Sequence, residues 1–261
     1  MNQNTPWQAP ARLFKGWSDA QKVVSLIRAR GVRVALAEAR STTLYRLAAL
    51  EGRHFDRTHG VETNELVRVA NLTLRSSARG GAPNYVPSLV SMLRLAMSQL
   101  PRDLSDYVFI DVGSGKGRVL LAAAQYKFKR VLGVEFAQEL HEQALRNILA
   151  FRGARQTREI LSVLSDARDF EIPEERCVVY IFGAGAEYAE LFEAVIRKLE
   201  RSYSRVPRAI FVVMINVEAG AVIEKFPLFT ELVVRGVLAK LLLRRLGSLR
   251  VFATSEARVS R

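Results

Sequence analysis

Three glycines alternate at positions 113, 115 and 117, directly after the apolar run Tyr107–Val112. That pattern confines the chain to a strand, a tight turn and a following helix. The stretch reads Phe109-Ile110-Asp111-Val112-Gly113-Ser114-Gly115-Lys116-Gly117-Arg118. Glycine allows the sharp turn and lets a ligand approach the backbone, while the helix start offers unpaired N–H groups. Two familiar nucleotide turns do not fit. A dinucleotide fingerprint spaces its glycines G-x-G-x-x-G. A phosphate-binding P-loop needs Ser or Thr after Gly-Lys, and here Lys116 is followed by Gly117.

The turn opens a regular alternation. Strands are expected at Tyr107–Val112, Arg130–Glu135, Glu159–Leu164, Cys177–Phe182 and Ala209–Asn216. Helices are expected over Gly117–Tyr126, Ala137–Phe151 and Tyr188–Ser202. Continuous apolar strands separated by helices predict a parallel sheet covered on both faces. Leu228–Val234 and Leu249–Thr254 read as a further antiparallel pair. The fold class is therefore α/β, a doubly wound, mostly parallel, seven-stranded Rossmann-like sheet. At 261 residues and 49% hydrophobic content the chain can build such a core. Upstream, helical spacing predicts helices over 18–31 and 33–50, a polar, punctuated stretch over 52–81 with a loop at 79–83, and a helix marked by Val86, Leu89, Val90, Leu93 and Met97. Residues 1–84 are read as a basic helical extension and closing loop, and 85–261 as the sheet domain.

Asp111 is the penultimate residue of the first strand, just before the glycines, and Glu135 ends the second. An acid at the second strand end suits both hydroxyls of a ribose, the logic of dinucleotide sites; the plainer reading is an acid favoured at a helix start. Asp166 follows the third strand and is otherwise a helix cap or loop acid, with Asp169 competing for its role. With these residues in place, the chain resembles the class I S-adenosylmethionine-dependent methyltransferases, whose first motif is D/E-x-G-x-G-x-G. The extended Asp-Val-Gly-Ser-Gly-Lys-Gly-Arg form is similar to the branch holding Dot1-like and related lysine methyltransferases, over roughly residues 55–220. The resemblance implies S-adenosylmethionine as cofactor. Asp111, Gly113, Ser114, Gly115 and Gly117 would cradle its amino-acid end, and Glu135 its ribose. Asp166 would meet the adenine amine and Ala167 N–H a ring nitrogen. Phe55–Thr63 and Asn84-Tyr85-Val86-Pro87 match the same branch, whose corresponding segments close over the cofactor, with Tyr85 lining the methyl pocket; an unliganded loop and helix start is the alternative.

The resemblance stops after the fourth strand. Amino-group methyltransferases carry Asn/Asp-Pro-Pro-aromatic there, and relatives of this pattern Asn-Pro-Phe; this chain has Tyr180-Ile181-Phe182-Gly183-Ala184-Gly185. No catalytic side chain is named on this basis. Three functions stay open: a methyltransferase acting on a protein side chain, a non-catalytic cofactor-binding sensor or assembly module, and a small-molecule methyltransferase.

Charge constrains partners rather than fold. The chain carries 39 Lys and Arg against 26 Asp and Glu, a formal +13, and residues 1–50 hold eight basic side chains against two acids. Such a field favours an acidic protein surface or peripheral contact with anionic lipid. Without aromatic-interleaved motifs, nucleic acid is the less favoured partner. A lone Cys177, no signal-peptide pattern and no long apolar span lead to a cytoplasmic expectation. Cys177 is expected in the core and His141 in solvent, and His54, His59 and His141 show no metal-ligand spacing, so no metal is expected.

Overall fold

Both faces of the sheet are apolar, which decides where the helices go. The computed structural model places β1 (Tyr107–Val112), β2 (Arg130–Glu135), β3 (Ile160–Leu164), β4 (Arg176–Phe182) and β5 (Ile210–Ile215) parallel to one another. β6 (Thr230–Leu232) and β7 (Leu249–Ala253) form the antiparallel pair, and β7 also runs antiparallel to β5. The order is β3-β2-β1-β4-β5-β7-β6. This is the doubly wound, Rossmann-like sheet expected from the sequence, with β7 inserted between β5 and the last strand.

The described residues are 47–67, 72–74, 85–183, 188–236, 243 and 247–259. The chain divides into two compact units, residues 1–51 and 52–261. Of the first, only 47–51 are described; they are helical. The expected helix over 18–31, most of that over 33–50 and the loop at 79–83 lie outside the described residues. Residues 62–64 hydrogen-bond to Arg118 and Asn147, beside the turn after β1.

Alternate residues of each strand serve opposite faces. Val108, Ile110, Leu132, Val134, Val179, Ile181, Val212 and Met214 pack with Phe192, Val195, Ile196 and Leu199 of α5 (Ala189–Arg205) and with Ile223 of a 3-10 helix (Glu218–Lys225). Cys177 is in this core, as expected, and burial raises its thiol pKa to about 12. The opposite face carries Phe109, Val178, Tyr180 and Phe211, with Phe109 5.2 Å from Phe128 and 6.0 Å from Tyr180 between ring centroids. Met92 and Leu93 of α2 (Val90–Met97) and Leu120 and Leu121 of α3 (Arg118–Ala123) are fully buried as well.

Two local features differ from the sequence reading. The helix that begins the described residues, α1 (47–59), continues through a stretch that reads as polar and punctuated, ending at Gly60 with φ +69°. Its hold is aromatic: Phe55 and His59 pack on Phe151, which follows α4 (Gln138–Ala150), at 6.5 and 5.0 Å. His141 on α4 is half-buried and shares a 2.8 Å hydrogen bond with Ser162 Oγ rather than facing solvent.

The side chain of α3 closest to the sheet fixes one strand residue. A Cβ on Gly133 would lie 2.6 Å from Leu120 Cδ1 and 2.6 Å from Ser114 Oγ. Overpacking of that kind costs about 1–3 kcal/mol. Gly133→Ala is expected to lower urea-unfolding stability by that amount; an unchanged midpoint would mean that α3 is not seated on β2 as described.

Candidate functional site

Parity along the strands brings two carboxylates together. Asp111 pairs with Gly133 in the β1–β2 register, and Glu135 lies two residues further along β2, so both acids point to the α3 face at the strands' C-terminal ends. Both are buried, 3% and 2% exposed. Between them runs the turn, with Gly113, Gly115 and Gly117 at φ +78°, +54° and +83°, values other residues rarely adopt.

Glu135 holds the turn in shape. Its carboxylate accepts the Gly115 N–H at 2.7 Å and the Ala137 N–H at 2.9 Å. Gly113 and Ser114 N–H both donate to Val134 O, at 2.9 and 3.1 Å. Burial raises the Glu135 pKa, with the backbone donors acting against it. An ionised carboxylate has about four acceptor sites, so two taken by backbone leave capacity for ligand hydroxyls.

Asp111 is different, for it accepts no hydrogen bond among the described residues. Burial, then the neighbouring Glu135 charge, push its pKa well above the usual carboxylate range. Ser114 Oγ is also buried without a partner. Beyond them the site opens: a Cβ on Gly113 or on Gly183 (φ +65°), which follows β4, would meet nothing within 4 Å. β1 and β4 are neighbours at the point where the strand order reverses. In open α/β sheets the crevice outside the strand ends at this switch point is where ligands bind. Polar groups without hydrogen-bond partners among the described residues, beside open space, are what a ligand with matching groups would complete.

A second network ties distant segments to the same turn. Arg118, 3% exposed, is the first residue of α3. Its guanidinium donates to Thr63 Oγ1 at 2.7 Å and Asn64 Oδ1 at 3.1 Å, and lies 4.0 Å from Asp56 Oδ1. Asp56 Oδ2 in turn accepts the N–H groups of Thr63 and Asn64, each at 2.8 Å. On α4, buried Asn147 donates to Lys116 O at 2.9 Å and Glu62 O at 3.0 Å and accepts Glu62 N–H at 2.9 Å. Tyr85 completes the network. Its hydroxyl donates to Thr63 O at 2.9 Å, and its ring lies so close that a Cβ on Gly115 would fall 2.2 Å from it. Burial raises the phenol pKa far above its ordinary value.

The structure thus gathers Tyr85, Asp111, Gly113, Ser114, Gly115, Gly117 and Glu135 around one turn. Asp166 stands one strand further out. It heads a turn in which Asp169 and Phe170 N–H donate to its carbonyl, and its carboxylate takes Arg168 N–H at 2.9 Å and Arg168 Nη2 at 2.6 Å. Ala167 packs at the edge of the α5-side core, and Ser165 N–H reaches Glu135 O at 2.9 Å, linking this turn to β2. Asp56, Thr63, Lys116, Arg118 and Asn147 have no role in the sequence reading. The one signal for any of them is the likeness of segment 55–63 and of the extended motif to one methyltransferase branch. Of Gly183–Gly185, only Gly183 is described. Among the described residues no three metal-ligating side chains cluster, and no helix is long and apolar enough to cross a membrane.

No protein-family profile matches the chain, and no curated protein matches it in sequence. Solved structures do. An RNA methyltransferase from Salinibacter ruber, in complex with S-adenosyl-L-homocysteine, is 18% identical over 66% of this chain and 93% of its own, with a TM-score of 0.41. A precorrin-6y methyltransferase from Geobacter metallireducens is 16% identical over 72% and 96%, TM-score 0.44. An rRNA methylase from Streptococcus thermophilus is 11% identical over 64% and 95%, TM-score 0.38.

Two stability experiments check the site. An acid whose pKa is raised on folding loses stability for the protein as pH climbs from its unfolded value through its folded one. Asp111→Asn is therefore expected to unfold at higher urea than wild type at neutral pH, with the gap closing as pH falls toward about 4. A lower midpoint at neutral pH would show that the carboxylate is satisfied after all. Arg118→Met, which removes the buried guanidinium from Thr63, Asn64 and Asp56, should cost about 1–3 kcal/mol. Adding Asp56→Asn to that variant should cost less than Asp56→Asn does alone; simple additivity would deny the pairing.

Proposed function

We propose that the chain is an S-adenosylmethionine-dependent methyltransferase whose cofactor lies across the C-terminal ends of β1 and β4. One observation carries this reading: buried Asp111, which accepts no hydrogen bond among the described residues, beside a glycine turn that faces open space at Gly113 and Gly183. The residues present fit the group. Asp111 would take its ammonium, the remaining acceptor sites of Glu135 its ribose hydroxyls, and Asp166 with Ala167 N–H its adenine edge. When bound, S-adenosylmethionine supplies an electrophilic methyl group on a sulfonium centre. The protein's own task is alignment, since in-line transfer gains most from holding donor and acceptor in register. Tyr85, seated on Gly115, bounds that side of the turn.

A protein side chain is the acceptor class we favour, on the likeness of the extended glycine motif to lysine methyltransferases. An acidic protein or an anionic lipid surface would be drawn by the formal charge of +13. The sequence Phe182-Gly183-Ala184-Gly185 in place of Asn-Pro-Phe favours a second reading, a cofactor-binding module without transfer. Radiolabel transferred from the cofactor to any component of a host lysate would dismiss that reading.

Calorimetry of the purified chain with S-adenosylmethionine should give saturable binding. Gly113→Ala places a methyl group in the open cleft at a positive φ, costing about 1–2 kcal/mol of stability. It should leave a folded protein that binds at least about tenfold more weakly, a loss of about 1.4 kcal/mol. A folded wild-type chain that takes up no cofactor at millimolar concentration would overturn the proposal.

A further inference from the structure

One charge beside the turn is not explained by the fold. Lys116 lies between Gly115 and Gly117 with its side chain only 7% exposed. Among the described residues its ion-pair partner is Glu65, Oε2 to Nζ 3.4 Å, and the Glu65 side chain is 84% exposed. The Tyr85 ring, which abuts Gly115, has its centroid 5.7 Å from the same ammonium. Removing an ammonium from water costs several kcal/mol unless its pairing is excellent. A solvent-exposed carboxylate returns little of that, and a single cation–π contact at this distance adds only modestly to it. The structural duty of residue 116 is carried by its backbone, whose carbonyl accepts the Asn147 amide. That bond asks nothing of the side chain, so an apolar residue would serve the fold at lower cost.

In the chain, Gly113–Gly115 is preceded by a buried carboxyl group that accepts no hydrogen bond among the described residues, Asp111, and followed by a buried ammonium with a weak partner, Lys116. A carboxyl group and an ammonium flanking one backbone turn match an α-amino acid, whose ammonium and carboxylate sit on the same carbon. We propose that Lys116 recognises the α-carboxylate of the cofactor, displacing Glu65 from its ammonium, and so makes the site selective for ligands that keep that carboxylate. The inference rests on the S-adenosylmethionine reading and names the residue that sets its specificity. Lys116 acts here through charge on the ligand and has no part in moving the methyl group.

The test is calorimetric titration of the full chain with S-adenosylmethionine and with its decarboxylated analogue. Wild type is expected to prefer the carboxylated ligand by about tenfold or more, the scale of one charge-assisted hydrogen bond. Lys116→Met should weaken S-adenosylmethionine binding by a similar factor and leave the decarboxylated analogue within about twofold. Lys116→Arg, which keeps the cation, should restore the preference. If Lys116→Met weakens both ligands equally, or neither, Lys116 does not read the carboxylate. A wild-type chain that binds both ligands without preference overturns this inference alone, whereas one that binds neither overturns the cofactor reading beneath it.

Discussion

The structure depends on a carboxylate from one strand holding the turn that follows another. Glu135, at the end of β2, accepts the Gly115 N–H at 2.7 Å and thereby sets the path of the backbone after β1. Three glycines at positive φ make that path possible, and Glu135 selects it from the alternatives they would otherwise sample. An acid in this place has a second effect. Its charge, together with burial, disfavours ionisation of Asp111. The bond that shapes the turn also leaves beside it a carboxyl group poised to gain from an incoming cation.

Around this turn the chain has gathered segments far apart in sequence. Arg118 and Asn147 hold residues 56–64 against the turn through hydrogen bonds to Thr63, Asn64 and Glu62, and Tyr85 rests on Gly115. Buried polar networks of this kind are costly when partly satisfied and rigidifying when complete. Here Arg118 finds oxygen acceptors on Thr63, Asn64 and Ser88, which ties those residues to the start of α3. Beside this network the buried Lys116 ammonium has only the exposed Glu65 carboxylate and the Tyr85 ring for company among the described residues.

How much of this could be read from the sequence follows from the range of the interactions. The strands were legible because a parallel sheet buries both faces and therefore writes continuous apolar runs, such as Val131–Val134 and Ile210–Ile215. Asp111 and Glu135 were legible because strand period and the adjacent glycines fix where they end. The β5–β7–β6 edge was half legible: its two strands could be named, but not the insertion of β7, since sequence order does not dictate spatial order. Legible only as a likeness of segments, with no pairing, was the Arg118–Asp56–Thr63 network. Arg118 lies more than fifty residues from both of its partners, and a buried Arg looks the same in sequence as a solvated one. The extension of α1 to residue 59 was hidden for a similar reason, resting on Phe151 rather than on local periodicity.

We propose that Asp111 and the open faces of Gly113 and Gly183 together form the cofactor's seat. A crystal structure of the chain with S-adenosyl-L-homocysteine tests it most directly. The account requires the ligand across the C-terminal ends of β1 and β4, with its ammonium within hydrogen-bonding distance of the Asp111 carboxylate. A ligand bound elsewhere, or one lying in the cleft with Asp111 still unpartnered, would contradict it.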